Sequence, residues 1–168
     1  MLGKLRGARM ISTDILDYRC HRARELGADL ALNPRTDDVL SAIMDLTSGQ
    51  GADKVIECVG GDQDETLAQA IRTVCRGGLV VVVGSFASDR ATLPIVDFKF
   101  NEKRVIGSQS MPEGYGPVFD LIQSGDLDAK TFITHRLPLE QTHRGLQLMD
   151  EKAEEVMKVV IFPGMNSA

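Results

Sequence analysis

The sequence has too few cysteines for a disulfide framework or a structural zinc knuckle. Its three cysteines are Cys20, Cys58 and Cys75, and no two of them stand in a Cys-x-x-Cys spacing. Disulfide-stapled domains normally carry an even and denser set, and a structural zinc site needs four closely spaced ligands. The cysteine pattern therefore favours a protein of the reducing cytoplasm.

The sequence also lacks an excess of positive charge and a long hydrophobic run. It has 19 Lys and Arg against 24 Asp and Glu, for a formal net charge of −5. Nucleic-acid-binding domains usually show a basic face or stripe, and none occurs here. The longest aliphatic run, residues 79–83, is far shorter than the ~20 apolar residues that cross a bilayer. With no signal-peptide core either, we expect no nucleic-acid partner, no membrane span and a cytoplasmic location.

The 168 residues have an ordinary globular composition, with 43% hydrophobic and 26% charged residues. Short aliphatic runs alternate with helical periods such as Val39, Ile43 and Leu46, a helix that we expect Thr36 to cap. The run 79–83 is typical of a strand buried on both faces of a parallel sheet. Strands are predicted at 9–13, 30–32, 54–59, 79–83, 104–108, 133–137 and 157–162, and helices at 17–26, 64–75, 117–124 and 141–150. This alternation predicts the α/β class, with a parallel sheet covered by helices.

A break in the pattern falls at residues 111–114, which contain Pro112 and Gly114. Proline and glycine are the strongest local markers of turns and boundaries. We therefore predict one domain over residues 8–110 and a C-terminal αβ segment over residues 111–163.

The residues that follow the predicted strands point to a ligand, because open parallel sheets bind ligands beyond the carboxyl ends of their strands. Asp14 follows the first strand, and Gly or Ser residues follow three others, which lets a flat ligand approach the backbone. An acidic residue at such an end can accept hydrogen bonds from both hydroxyls of an adenosine ribose and repel the 2′-phosphate of NADP. An Asp before a helix is also a common N-cap, so both roles stay open for Asp14.

The sequence contains no glycine-rich phosphate loop between a strand and a helix, and none of the catalytic motifs considered below. Gly114-Tyr115-Gly116 lacks the third glycine of a dinucleotide loop, and we interpret it as a turn. Neither tyrosine is followed four residues later by lysine, and no GxSxG or GxxxxGK[ST] motif occurs. The three histidines are too scattered to predict a metal site. Cys58, at a strand end, is either part of a ligand cleft or a small buried hydrophobe.

Several segments, in this order and spacing, resemble the medium-chain, zinc-type alcohol dehydrogenases. They are ISTDI at 11–15, ELGAD at 25–29, NP at 33–34, GADKVIECVG at 51–60, RGGLVVVVG at 76–84 and ITHRLPL at 133–139. The resemblance runs from Arg6 to Phe162. It implies the C-terminal, cofactor-binding half of such an enzyme, with a Rossmann-like doubly wound parallel sheet, NAD as cofactor and hydride transfer to or from a small alcohol.

The resemblance also implies which residues contact the cofactor. Asp14 corresponds to the residue that binds the adenosine ribose, with Ile15 beside the adenine and Arg19 near the ribose or phosphate. Further contacts are implied for Cys58, Val59 and Gly60 on the adenosine side, Val83, Gly84 and Ser85 on the nicotinamide side, and Ser108, Gln109 and Ser110 at the carboxamide. The aspartate implies NAD rather than NADP. The family's edge strand, here from Arg104 to Ser108, pairs between subunits and implies a homo-oligomer.

The family's zinc ligands, proton relay and glycine loop have no counterpart in this sequence, so we name no catalytic residue and no metal ligand. The absent strand is the first one, which is central in the strand order 3-2-1-4-5-6. About five buried aliphatic side chains at ~2 kcal/mol each amount to roughly 10 kcal/mol, comparable with the ~5–15 kcal/mol of a whole domain. We therefore expect a parallel sheet without its first strand, a marginal, rearranged or self-associated chain, and weak NAD binding.

Two other interpretations stay open at this point. The first is a non-catalytic nucleotide-binding or dimerisation module. The second is a methyltransferase with a related sheet, in which an acidic residue at the second strand end also holds a ribose. The sequence does not determine the substrate, since alcohol, polyol, threonine and formaldehyde are all compatible with it.

Overall fold

A computed structural model describes residues 1–61, 64–109 and 112–164 of the chain. The strands are β1 Ile11–Thr13, β2 Leu30–Leu32, β3 Ala52–Glu57, β4 Val74–Val82, β5 Arg104–Gly107, β6 His135–Pro138 and β7 Val159–Phe162. The helices are α1 Leu2–Leu5, α2 Asp17–Glu25, α3 Val39–Leu46, α4 Asp64–Thr73, α5 Ile95–Phe100, α6 Tyr115–Ser124 and α7 Thr142–Glu151. In these ranges no helix combines the length and apolar character needed to cross a membrane.

All strand pairs in the described ranges are parallel, and they form three sheets. These are β1-β2, β3-β4-β5 and β6-β7. Strands and helices alternate throughout, which confirms the predicted α/β class. Strands β1 and β3 belong to different sheets.

The contacts divide the chain into two compact units. The first consists of Met1–Arg35 and Glu113–Ala168, and the second of Thr36–Pro112. The first unit holds β1-β2 and β6-β7, with a small core around Leu137, Leu148 and Val156. The second holds β3-β4-β5. The domain boundary that the sequence suggested after residue 110 stays a prediction.

The core of the second unit lies between α4 and one face of its sheet. Leu67, Ala70 and Ile71 on α4 pack with Val80 on β4, and all four are buried. The helix predicted over 64–75 ends earlier than expected, because Val74 and Cys75 belong to β4. The prediction that the run 79–83 is buried on both faces was wrong, because only Val80 in it is buried, while Leu79, Val81 and Val82 are half-buried and Val83 is 48% exposed.

The predicted cap of one helix was wrong, and one helix was not predicted. Helix α3 is capped by Asp38, whose side chain accepts a hydrogen bond from the Ser41 N–H at 3.0 Å, and not by Thr36. Thr36 precedes this N-cap residue by two positions. Helix α5 was missed altogether, although Pro94 directly before it is a recognised start signal.

A buried ion pair joins three elements of the second unit. The Lys103 side chain, only 5% exposed, donates from Nζ to both carboxylate oxygens of Asp97 at 3.0 and 2.9 Å. It also donates to the carbonyl of Ile71 at 2.6 Å. Lys103 precedes β5, Asp97 lies on α5 and Ile71 lies near the end of α4. All three ammonium protons therefore have acceptors, which a buried cation requires.

We expect the substitution Asp97→Ala to lower the free energy of unfolding by about 3 kcal/mol, because it leaves the Lys103 ammonium buried without its counter-ion. Urea denaturation followed by circular dichroism measures the loss. The matched control is Asp89→Ala, since the Asp89–Arg90 pair is 91% exposed on both sides and should contribute less than ~1 kcal/mol. Equal losses for the two variants would contradict the role given to Lys103.

Candidate cofactor site

Asp14, directly after β1, is held by contacts within its own turn. Its Oδ1 accepts a hydrogen bond from the Leu16 N–H at 3.0 Å, and its own N–H donates to the carbonyl of Leu32 at 3.1 Å. The N-cap position of α2 is Leu16, so Asp14 is not the cap that the sequence left open. It forms a turn two residues earlier, with its side chain 29% exposed. The carboxylate thus remains accessible at the end of the strand.

The β1 and β2 ends are joined by a buried thiol. Cys20 Sγ donates to the carbonyls of Asp14 and Leu32, each at 3.3 Å. Burial raises the pKa of this thiol, so it stays protonated and keeps its donor. Ile15, the residue expected beside an adenine, is 39% exposed. These contacts fix the backbone on either side of Asp14.

Arg19, on the first turns of α2, lies beside Asp14. Its Nη1 is 3.6 Å from Asp14 Oδ2, and its Nε donates to Tyr18 Oη at 3.1 Å. Its guanidinium also stands 5.6 Å from the centre of the Tyr18 ring. The structure therefore brings Arg19 to Asp14, and Ile15 follows Asp14 in the chain.

At the end of β3 the structure reveals a functional candidate that the sequence analysis missed. Glu57 is 4% exposed, and its Oε1 accepts hydrogen bonds from the Val59 N–H at 3.0 Å and the Thr66 hydroxyl at 2.9 Å. Its Oε2 is buried and is the one such side-chain atom in the described residues without a hydrogen-bond partner. The carboxylate thereby joins the end of β3 to the first turns of α4.

The end of β4 lies tightly against the end of β3. The amides of Val83 and Gly84 both donate to the Glu57 carbonyl, at 2.8 and 3.1 Å. A Cβ placed on Gly84 would lie 2.0 Å from the Val59 carbonyl oxygen and 2.7 Å from Glu57 Oε2. Only glycine fits this close approach.

The loops that continue from these two ends are also hydrogen-bonded to each other. The Gly61 N–H donates to the Ser85 carbonyl at 3.0 Å, and the Ala87 N–H donates to the Gly61 carbonyl at 2.9 Å. A Cβ on Gly60 would be 3.9 Å from the Ser85 carbonyl oxygen. The predicted residues after β3 and β4 are therefore neighbours.

The remaining predicted residues are more exposed. Cys58 is exposed, so it is not the buried hydrophobe that the sequence allowed, and partial burial of its thiol together with the nearby Glu57 charge raises its pKa. Ser108 donates its N–H to the Val82 carbonyl at 2.8 Å and, like Gln109, has an exposed side chain. Ser110 lies outside the described residues.

The predicted site residues thus form two groups, one in each compact unit. Asp14, Ile15 and Arg19 lie in the first; the second holds Cys58, Val59, Gly60, Val83, Gly84, Ser85, Ser108 and Gln109. Among the described residues, no group of three or more His, Cys, Asp or Glu side chains is placed to hold a metal ion. The arrangement offers an accessible carboxylate in one unit and a glycine-lined pair of strand ends in the other.

Comparison with known proteins identifies relatives of the chain. The family described as zinc-binding dehydrogenase matches residues 1–124. An alcohol dehydrogenase of Cupriavidus necator is 31% identical over 161 residues, which are 92% of this chain and 42% of that protein. The chain therefore spans less than half the length of this curated relative. The family match rules out the methyltransferase interpretation.

Solved structures show the same fold. The 2R,3R-butanediol dehydrogenase of Bacillus subtilis superimposes with a TM-score of 0.84 at 25% identity, covering 96% of this chain and 46% of that one. A zinc-binding dehydrogenase of Sinorhizobium meliloti, solved with NADP bound, gives a TM-score of 0.82 at 29% identity, covering 96% and 47%. The Rossmann-like fold predicted from the resemblance is thus confirmed.

We expect Gly84→Ala to destabilise the second unit by roughly 1–3 kcal/mol, because the added methyl group overlaps the Val59 carbonyl and forces the two strand ends apart. Thermal unfolding measures the effect. Gly107→Ala is the matched control, since a Cβ on Gly107 meets no atom within 4 Å. An unchanged unfolding temperature for Gly84→Ala would show that this close approach is not required.

Proposed function

The chain belongs to the zinc-binding dehydrogenase family, and on this premise we propose that it forms the cofactor-binding half of an NAD-dependent alcohol or polyol dehydrogenase. In the complete enzyme a hydride would pass between NAD and a small alcohol. The relatives that support this proposal are oxidoreductases of alcohols and diols, of which the chain spans 42% and 46%. The part of the enzyme that binds the alcohol determines which alcohol is the substrate.

The observation that carries the proposal is the Asp14 carboxylate at the end of β1. One of its oxygens accepts a single hydrogen bond from Leu16, and the other lies 3.6 Å from Arg19. Since each carboxylate oxygen can accept two hydrogen bonds, both oxygens retain capacity for a ribose hydroxyl. Bonds to a charged acceptor are worth roughly 1.5–3 kcal/mol each.

The same charge supports NAD rather than NADP as the cofactor. A 2′-phosphate would replace one ribose hydroxyl by a dianion next to the Asp14 carboxylate, and the two would repel each other. The Sinorhizobium meliloti relative was solved with NADP, so the fold itself does not decide between the cofactors. The preference then depends on the residues around the adenosine ribose.

For the strand ends of the second unit, the resemblance implies contacts to the nicotinamide side of the cofactor. Gly84 presents bare backbone, and Glu57 holds the Val59 amide and the start of α4 in place. When NAD is bound, its nicotinamide ring supplies the hydride acceptor. The proposed task of Val83, Gly84, Ser85, Ser108 and Gln109 is to orient that ring through backbone contacts and to exclude water from one side of it.

We assign no zinc ligand to this chain. The described residues offer no ligand set for it, and no catalytic residue is assigned in the chain. We place the metal and the proton transfer in the part of the enzyme outside this sequence. The cytoplasmic location expected from the sequence belongs to the proposal too, and it is supported by three cysteines that are all free.

We expect Asp14→Asn to weaken NADH binding by roughly tenfold, because the neutral amide keeps the turn but loses the charged acceptor of the ribose hydroxyls. An NMR titration of the chain, with the Leu16 amide as reporter, measures the affinity. The control is Asp45→Asn on the exposed face of α3, which should leave it unchanged. Equal NADH affinity for wild type and Asp14→Asn would refute the proposed site.

The proposed homo-oligomer would form through the edge of β5 that faces away from β4 and that no other strand of the described residues pairs with. The Ser108 N–H points to β4, so the Gly107 N–H points away from it, because successive amides of a strand alternate in direction. We expect Gly107→Pro to remove an intersubunit donor and shift the chain to monomers in sedimentation velocity, while Gly107→Ala keeps the oligomer. Oligomers that persist in Gly107→Pro would argue against pairing at this edge.

A further inference from the structure

The C-terminal segment supplies a fixed carbonyl group to α2. Tyr18 Oη donates a hydrogen bond to the Val156 carbonyl at 2.7 Å, although the two residues are 138 positions apart. Val156 is fully buried and packs with Leu137 and Leu148. Its carbonyl is therefore anchored by the core of the first unit and does not depend on Tyr18 for its position.

The Val156 carbonyl also accepts a hydrogen bond from Arg19, the side chain beside Asp14. Arg19 Nη2 donates to the Val156 carbonyl at 3.4 Å, and Arg19 Nε donates to Tyr18 Oη at 3.1 Å. Its third nitrogen, Nη1, faces Asp14 Oδ2 at 3.6 Å. All three nitrogens of the guanidinium thus have a partner, and the planar group is oriented from two sides.

Building on the proposed function, we propose that Tyr18 and the Val156 carbonyl are positioning groups that hold the Arg19 guanidinium beside the Asp14 carboxylate. The C-terminal segment thereby helps to select an adenosine ribose without a 2′-phosphate. The reason is geometric, since a guanidinium free to turn would pair with a phosphate in two parallel hydrogen bonds. Held beside Asp14, the Arg19 guanidinium stabilises the charged form of the carboxylate, which repels the phosphate. In this orientation Arg19 cannot turn to pair with the phosphate itself.

The test uses two probes that differ only in the 2′-phosphate, 5′-AMP and adenosine 2′,5′-bisphosphate. The measured quantity is the ratio of their dissociation constants for the 168-residue chain, obtained by NMR titration. Tyr18→Phe keeps the ring but removes the hydroxyl that accepts from Arg19 Nε. We expect this variant to lower the discrimination against the 2′-phosphate by roughly tenfold, the order of one released charge-assisted hydrogen bond.

Two further variants separate this role from a merely structural one. In an Arg19→Gln background, Tyr18→Phe should leave the ratio unchanged, because Tyr18 acts through Arg19. Tyr115→Phe makes the same chemical change at the second tyrosine of the chain, on α6, and should not alter the ratio. A structural defect would weaken both probes together and leave the ratio constant, which would overturn the proposal.

A measurement on the wild-type chain guards against a variant that fails to fold. The Arg19 Nε–H should exchange with water much more slowly than that of Arg90, whose side chain is 91% exposed. Equally fast exchange would overturn the proposal without any variant. If neither probe binds the wild type, the proposed cofactor site fails and this selectivity with it. If both bind but Tyr18→Phe leaves the ratio unchanged, only the present inference fails.

Discussion

The second unit depends on the buried ammonium group of Lys103. A cation removed from water is tolerated only when each of its protons has an acceptor, and here the acceptors come from two different helices. The Ile71 carbonyl lies near the end of α4, where the helix dipole also favours a positive charge. Because Lys103 leads directly into β5, this contact fixes where that strand begins relative to α4. The position of the whole sheet against its helix follows from it.

The strand ends proposed to hold the nicotinamide are arranged by a second buried charge. Glu57 holds the Val59 amide and the Thr66 hydroxyl with one oxygen, while its other oxygen lies next to Gly84. The glycine and the glutamate are therefore coupled, since a side chain at position 84 would need the space that the carboxylate occupies. Backbone atoms thus line this part of the site, because a carboxylate fills the space behind them.

The sequence was sufficient for features that depend on local chemistry. The β2 bounds agreed with the prediction. Gly27, just past the end of α2, has a φ of +93°, in the left-handed region that glycine adopts at helix ends. Helix α5 was missed because only six residues form it, too few for a clear period. Glu57 and Lys103 were missed because a charged residue in a sequence looks exposed until its buried partners are known. Tyr18 and Val156, 138 positions apart, share no sequence pattern that would pair them.

Affinity and selectivity have separate physical origins in this site. The glycine loop that the sequence lacks would bind the pyrophosphate through backbone amides and a helix N-terminus, which serve NAD and NADP equally. In the proposed site, discrimination between the two would depend on the charge of Asp14 and on the orientation of the Arg19 charge beside it. The Leu16 amide and the Arg19 side chain both face Asp14, and the carbonyl that accepts from Arg19 and Tyr18 belongs to Val156, a buried residue of the same unit. A chain that binds the cofactor weakly can therefore still distinguish strongly between its two forms.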